Sequence, residues 1–153
     1  MGELVSLSKD QNQLIGWQSQ RFCVFPQEIV IQFPCLVHLK QVQFLVHQSK
    51  IPSRIELFAY APDFTSLGAA NLVSPNNSNI SFARLGHFSL DDNIRTNYQA
   101  RELKTVYLEQ YCQYLKIVLH KNHLNSLNIF NQVGIVSLTC TGSYIGDYEM
   151  SAV

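Results

Sequence analysis

Charge is scarce in this chain. Only 14% of its 153 residues are Asp, Glu, Lys or Arg, against about 25% in an average soluble domain. The 11 basic and 11 acidic side chains cancel, and the balance is local as well: residues 1–75 carry five of each sign and residues 76–153 six of each. A neutral chain without a basic stripe lacks the electrostatic footprint of a nucleic-acid binder or of a binder of anionic membranes. No apolar run approaches the roughly 18 residues that a membrane-spanning helix needs. Met1-Gly2-Glu3-Leu4 has no basic stretch leading into an apolar one, so a cytosolic chain is expected rather than a secreted one.

Cysteine is sparse and unpatterned. Cys23, Cys35, Cys112 and Cys140 form no C-x-x-C pair, which argues against zinc and dithiol chemistry and leaves reduced, mostly buried thiols as the expectation. The chain also lacks a G-x-S-x-G elbow, a glycine-rich phosphate loop and an H-E-x-x-H helix, and no enzyme is expected. A Cys–His pair assembled in space stays open, since such partners need not be neighbours in sequence. The sequons Asn76-Asn77-Ser78 and Asn79-Ile80-Ser81 read as a polar loop rather than as glycosylation sites.

What is present is amide and apolar residue in quantity. The 11 Asn and 13 Gln outnumber the 22 charged side chains, and 46% of the residues are hydrophobic, too many for a disordered chain. Their period is two. Ile29, Ile31 and Phe33 alternate within 28–33, Val42, Phe44 and Val46 within 41–48, Ile55, Leu57 and Ala59 within 53–60, and Leu115, Ile117 and Leu119 within 113–120. Residues 132–141 are β-branched and apolar throughout. Segments 83–90, 102–109 and 3–8 extend the set to seven or eight short strands, with no helical stripe among them. The expectation is one all-β antiparallel sandwich or jelly roll over residues 1–153, with its core at about 14–142. The last two apolar segments, apolar on both faces, are expected in central positions. Residues 62–81, with Pro62, Gly68 and Pro75, are expected to form a long surface loop.

Several candidate sites each have a plainer explanation. His120 and His123 stand three residues apart where a strand gives way to a loop; zinc would need further ligands that no pattern supplies, so loop histidines are expected. Asp91-Asp92-Asn93 offers oxygens to Ca²⁺, though a turn built on Asx side chains accounts for the same residues. Asparagine recurs every third residue at 122, 125, 128 and 131. Such side chains satisfy the backbone of a long connection locally, and ligand binding is the sharper alternative. Trp17, the only tryptophan, is expected in the core rather than under a sugar ring. Ser49-Lys50-Ile51-Pro52 matches the S-x-I-P motif of microtubule plus-end trackers. That motif docks only from an accessible segment, whereas here it falls between two strands, where Pro52 suits a turn.

In combination these stretches resemble a family. Gly16 through Val30, His47-Gln48 with Ile55-Glu56, Leu85-Gly86, Ser89 through Asn93, Ala100 through Tyr107, Gln113 through Lys116, His120 through His123 and Asn128 through Val133 are similar to the N-terminal jelly-roll domain family of the centrosomal protein of 104 kDa. Phe25-Pro26-Gln27-Glu28 is also similar to the smaller jelly-roll subunit of the intraflagellar transport machinery, a more distant relative. The resemblance implies a discoidin-like or galactose-binding-like sandwich at the head of a long centriolar and ciliary-tip microtubule protein. Coiled coil, a tubulin-binding array and a zinc-finger region follow that domain in the family. None lies in these residues, so tubulin or end-binding contacts are expected elsewhere in a longer parent, or the parent is short.

The function expected is therefore a non-catalytic protein-interaction domain, without cofactor or metal, acting in cilium assembly or tip organisation. Its partners would be centriolar and ciliary proteins, with no nucleic acid and no membrane. Arg101, Lys104, His120, Lys121, Asn122 and His123, a polar group beside strand ends, are its expected contact residues. A small-ligand domain for glycan or Ca²⁺ is the alternative, as is an intraflagellar-transport-like subunit.

Overall fold

The computed structural model describes residues 3–8, 12–62 and 81–145. Nearly all of the expected loop 62–81, with the first sequon, Asn76-Asn77-Ser78, and Asn79 of the second, lies outside them. The described residues form seven strands, all but the second on expected segments: β1 (Glu3–Ser6), β2 (Gln13–Gln18), β3 (Gln27–Val46), β4 (Arg54–Tyr60), β5 (Ala83–Ser89), β6 (Leu103–Leu119) and β7 (Gly134–Tyr144). The pairing order is β2-β7-β3-β6-β4-β5, with β1 on the side of β3. All pairs are antiparallel except β1 with β3. Both β6 and β7 are interior to this order, as segments apolar on both faces require.

Two pairs of expected strands are single strands. Segments 28–33 and 41–48 belong to β3, and 102–109 and 113–120 to β6. Period-two patterning marks which residues face inward but not where a strand turns a corner. A straight 20-residue strand would reach about 66 Å. Yet Gln27 and Ile55 both pair with Leu119, and only residues 47–53 join the end of β3 to the start of β4, a reach of at most about 27 Å. The β3–β6 ribbon therefore folds over. The corner falls where register breaks, with Phe33–Leu36 opposing Gln113 alone. Exposed Pro34 sits there, where its missing N–H costs no ladder bond.

This folding-over makes the sandwich. One layer holds β1, the first half of β3, the second half of β6, β4 and β5. The other holds β2, β7, the second half of β3 and the first half of β6. Ile29, Ile31, Ile55, Leu115, Ile117 and Leu119 of the first layer meet Val42, Phe44, Val46, Ile135 and Leu138 of the second, all buried. Phe44 packs edge-on against Phe88 of β5 with centroids 5.2 Å apart. Each such side chain contributes about 2 kcal/mol by leaving water. Sequence patterning missed β2; its Trp17 packs half-buried against this core, and its indole donates to Glu3 Oε2 at 2.6 Å.

Candidate functional site

Because both long strands fold over, their two ends return to one end of the sandwich. Four connections gather there: 19–26, 47–53, 90–102 and 120–133. Residues 47–53 are the hub. Ser53 N–H donates to Lys121 O and His123 N–H to Ile51 O, while Leu90 N–H and Gly134 N–H donate to Ser53 O and Lys50 O. The imidazole Nδ1 of His47 accepts from the backbone N–H groups of Ser49 and Lys50 at 3.1 and 3.0 Å. Burial, with Lys50 and Arg101 nearby, lowers the pKa of His47 below its usual 6.5. Ser49, Ile51 and Pro52 are buried in this turn, Ile51 to 3% exposure.

The polar residues singled out from sequence border this same end, and most of their side chains are engaged. Arg101 Nε donates to Gln48 Oε1 at 3.0 Å, and Lys104 pairs with Glu102 at 3.3 Å. His120 Nε2 lies 2.5 Å from Glu56 Oε1, and His123 Nε2 lies 2.8 Å from Leu90 O. The two imidazoles thus turn to different partners. Glu56 is held below the usual carboxylate range by the hydrogen bond from His120, then by that from Arg84. Asn122 is buried and donates to His123 O and Asn131 Oδ1. Lys121 is exposed, and its ammonium has no partner among the described residues. In Asp91-Asp92-Asn93 the two carboxylates accept from the backbone N–H groups of Asn93 and Ile94. Asn93 donates to Gln48 O and Ala100 O.

Asparagine in loop 120–133 points inward. Asn125 Nδ2 donates to Ser49 O, while its Oδ1 accepts from the N–H groups of Leu127 and Asn128. Asn128 Nδ2 donates to Gln132 O, and Gln132 Nε2 to Ser19 O. With the amides directed inward, the residues between them turn outward: Leu124 is 71% exposed, Leu127 60% and Ile129 64%. Loop 19–26 adds Phe22 and Val24, 66% and 82% exposed. The two loops are joined by the Phe22 N–H bond to Phe130 O at 2.8 Å and by the two rings, edge-on with centroids 5.7 Å apart. The result is an apolar crest on an amide foundation, the reverse of an ordinary surface loop. Exposed apolar side chains carried together on two joined loops mark a candidate interaction site. None of its five exposed residues was singled out from sequence. The available signal was the triplet spacing, since inward asparagine leaves the intervening leucines no inner side to occupy.

Comparison with known proteins agrees with the early resemblance. The family described as "Centrosomal protein CEP104, N-terminal domain" matches residues 16–142. The human protein called centrosomal protein of 104 kDa is 42% identical over 127 residues, 83% of this chain and 13% of that protein. Its mouse counterpart is 40% identical over the same shares. This chain therefore spans only a small part of the relatives it matches. Among solved structures, a carbohydrate-binding module (CBM32-3) from a family 31 glycoside hydrolase of Clostridium perfringens superposes with TM-score 0.56 at 14% identity, over 84% of this chain and 75% of that one. The family 32 module of C. perfringens NanJ, in complex with galactose, does so with TM-score 0.55 at 10% identity, over 82% and 76%. These likenesses establish the jelly-roll fold.

Proposed function

The chain belongs to the family of the N-terminal domain of centrosomal protein CEP104, and from that premise we propose that it is a non-catalytic protein-interaction domain of a centriolar and ciliary-tip protein. Cilium assembly or tip organisation is its setting. The observation that carries this reading is the crest of Phe22, Val24, Leu124, Leu127 and Ile129, five exposed apolar side chains carried on two joined loops at one end of the sandwich. The loop gains nothing in stability by holding these side chains in water, and burial against a partner recovers about 25 cal/mol per Å² of that surface. Arg101, Lys104, His120, Lys121, Asn122 and His123 remain proposed contact residues beside it, of which Lys121, Asn122 and His123 share loop 120–133 with Leu124, Leu127 and Ile129. Tubulin or end-binding contacts are assigned to other parts of the parent, because a neutral domain has no long-range pull on an acidic partner.

The test is cellular. In ciliated cells, the chain fused to a fluorescent protein should concentrate at centrosomes and cilium tips. Leu124→Asp with Leu127→Asp should return it to a diffuse signal while the thermal unfolding midpoint stays put. Concentration that survives both substitutions would overturn the assignment of the crest. The glycan or Ca²⁺ reading draws on the amides, Trp17 and Asp91–Asn93, but the Trp17 indole bonds Glu3 and Asp91, Asp92 and Asn93 already hold a turn. Saturable heat on titrating galactose or Ca²⁺ would revive it.

A further inference from the structure

We infer that the crest takes a protein segment in which a carboxylate stands beside an apolar side chain, and that Arg21 is the receptor for that carboxylate. This rests on the interaction reading above and adds the chemistry of the partner. Arg21 is exposed, with its guanidinium 4.3 Å from the centroid of the Phe130 ring. That ring is met from its other contact by Phe22, whose backbone takes φ 52°, a conformation costly for a bulky residue. The loop thus spends backbone energy to hold an aromatic pair beneath one arginine.

The guanidinium has no hydrogen-bond acceptor among the described residues. Of the other arginines, Arg84 and Arg54 share Glu56 and Arg101 bonds Gln48; exposed Arg95 also lacks an acceptor among the described residues, but only Arg21 among the described arginines is seated on an aromatic ring. Loops 19–26 and 120–133 contain no carboxylate at all; their formal charges are Arg21 and Lys121. An arginine stacked on an aromatic ring loses little further freedom when it accepts a partner. It offers a planar fork that a carboxylate fills with two parallel bonds. Arginine beside exposed aromatic and aliphatic anchors is also the composition that dominates binding energy at protein interfaces. An anionic lipid surface shares the sign, but two cations contribute only about 1 kcal/mol each there.

Short random peptides displayed on phage and selected on the chain test this, followed by anisotropy titration of the enriched peptides at low and high salt. The enriched sequences should place Asp or Glu beside Leu, Ile, Met or Phe. Arg21→Gln should weaken their binding about tenfold or more without moving the unfolding midpoint, and Arg21→Lys should recover only part of the loss. Enriched peptides that lack carboxylates, ignore Arg21→Gln and lose binding with Leu124→Asp and Leu127→Asp would overturn the carboxylate receptor and leave the interaction reading standing. Absence of any enriched peptide counts against both. Flotation of the chain with phosphatidylserine vesicles, lost in Arg21→Gln, would replace the protein segment by a lipid surface.

Discussion

Asn128 is 2% exposed, and both ends of its amide are used within one loop: Nδ2 donates to Gln132 O at 2.8 Å and Oδ1 accepts from Gln132 N–H at 2.9 Å. Removing the amide strands a buried donor and a buried acceptor. Asn128→Ala should therefore cost about 2 kcal/mol in urea unfolding. Its neighbour Leu127→Ala, altering only exposed surface, should stay within about 0.5 kcal/mol. Equal effects would mean that the loop is not built amide-in and apolar-out. His47 gives the second expectation at this scale. Its folded pKa lies below 6.5, so below pH 6.5 the unfolded chain binds the proton more readily than the folded one. The contribution is complete above that pH and is lost as pH falls through the folded value. The urea midpoint of the native chain should thus drop across this window. His47→Asn, which keeps an acceptor for the Ser49 and Lys50 N–H groups without titrating, should flatten the profile; an unchanged slope would remove His47 as its origin.

At the scale of the strand, the corner and the close approaches decide. β7 crosses β3 at Gly142, where an added Cβ would be driven into the carbonyl of His38, with Leu39 Cα only 3.1 Å away. Backbone cannot yield as a flexible side chain can. Gly142→Ala should destabilise by about 1–3 kcal/mol or more, read as a lower unfolding midpoint with unchanged far-ultraviolet signal in the folded baseline; a neutral effect would mean that the two strands can separate there. The strand segments were legible from their alternation because burial on one face imposes period two whatever the wider fold. That β3 and β6 each continue through a corner was not legible. Residues 34–40 fell between two expected strands, and the register shift between strands some 80 residues apart in sequence leaves no local trace. β2 escaped notice because Ile15 and Gly16 are exposed while Trp17 packs inward, a pattern too short to register.

For the molecule as a whole, the sandwich shields its thiols unequally. Burial pushes Cys112 and Cys140 up to about 12, whereas Cys23 and Cys35 are only partly buried and all four are free. Alkylation followed by mass spectrometry should label Cys23 and Cys35 in the native chain, and all four only in denaturant. Native labelling of Cys112 or Cys140 would show that the corner opens without global unfolding. The alternation of apolar residues was enough for an all-β sandwich, and counting side chains for a net charge of zero, because burial and net charge are sums over residue types. Which charges remain unspent is a different quantity. Glu56 meets Arg84 and His120 across 28 and 64 residues of chain, and only the folded sheet brings them together. Arg21 is left over on Phe130 by that same long-range pairing, and the leucines face water because the asparagines beneath them found backbone to hold. Composition is local and additive, whereas pairing and sidedness belong to the closed fold.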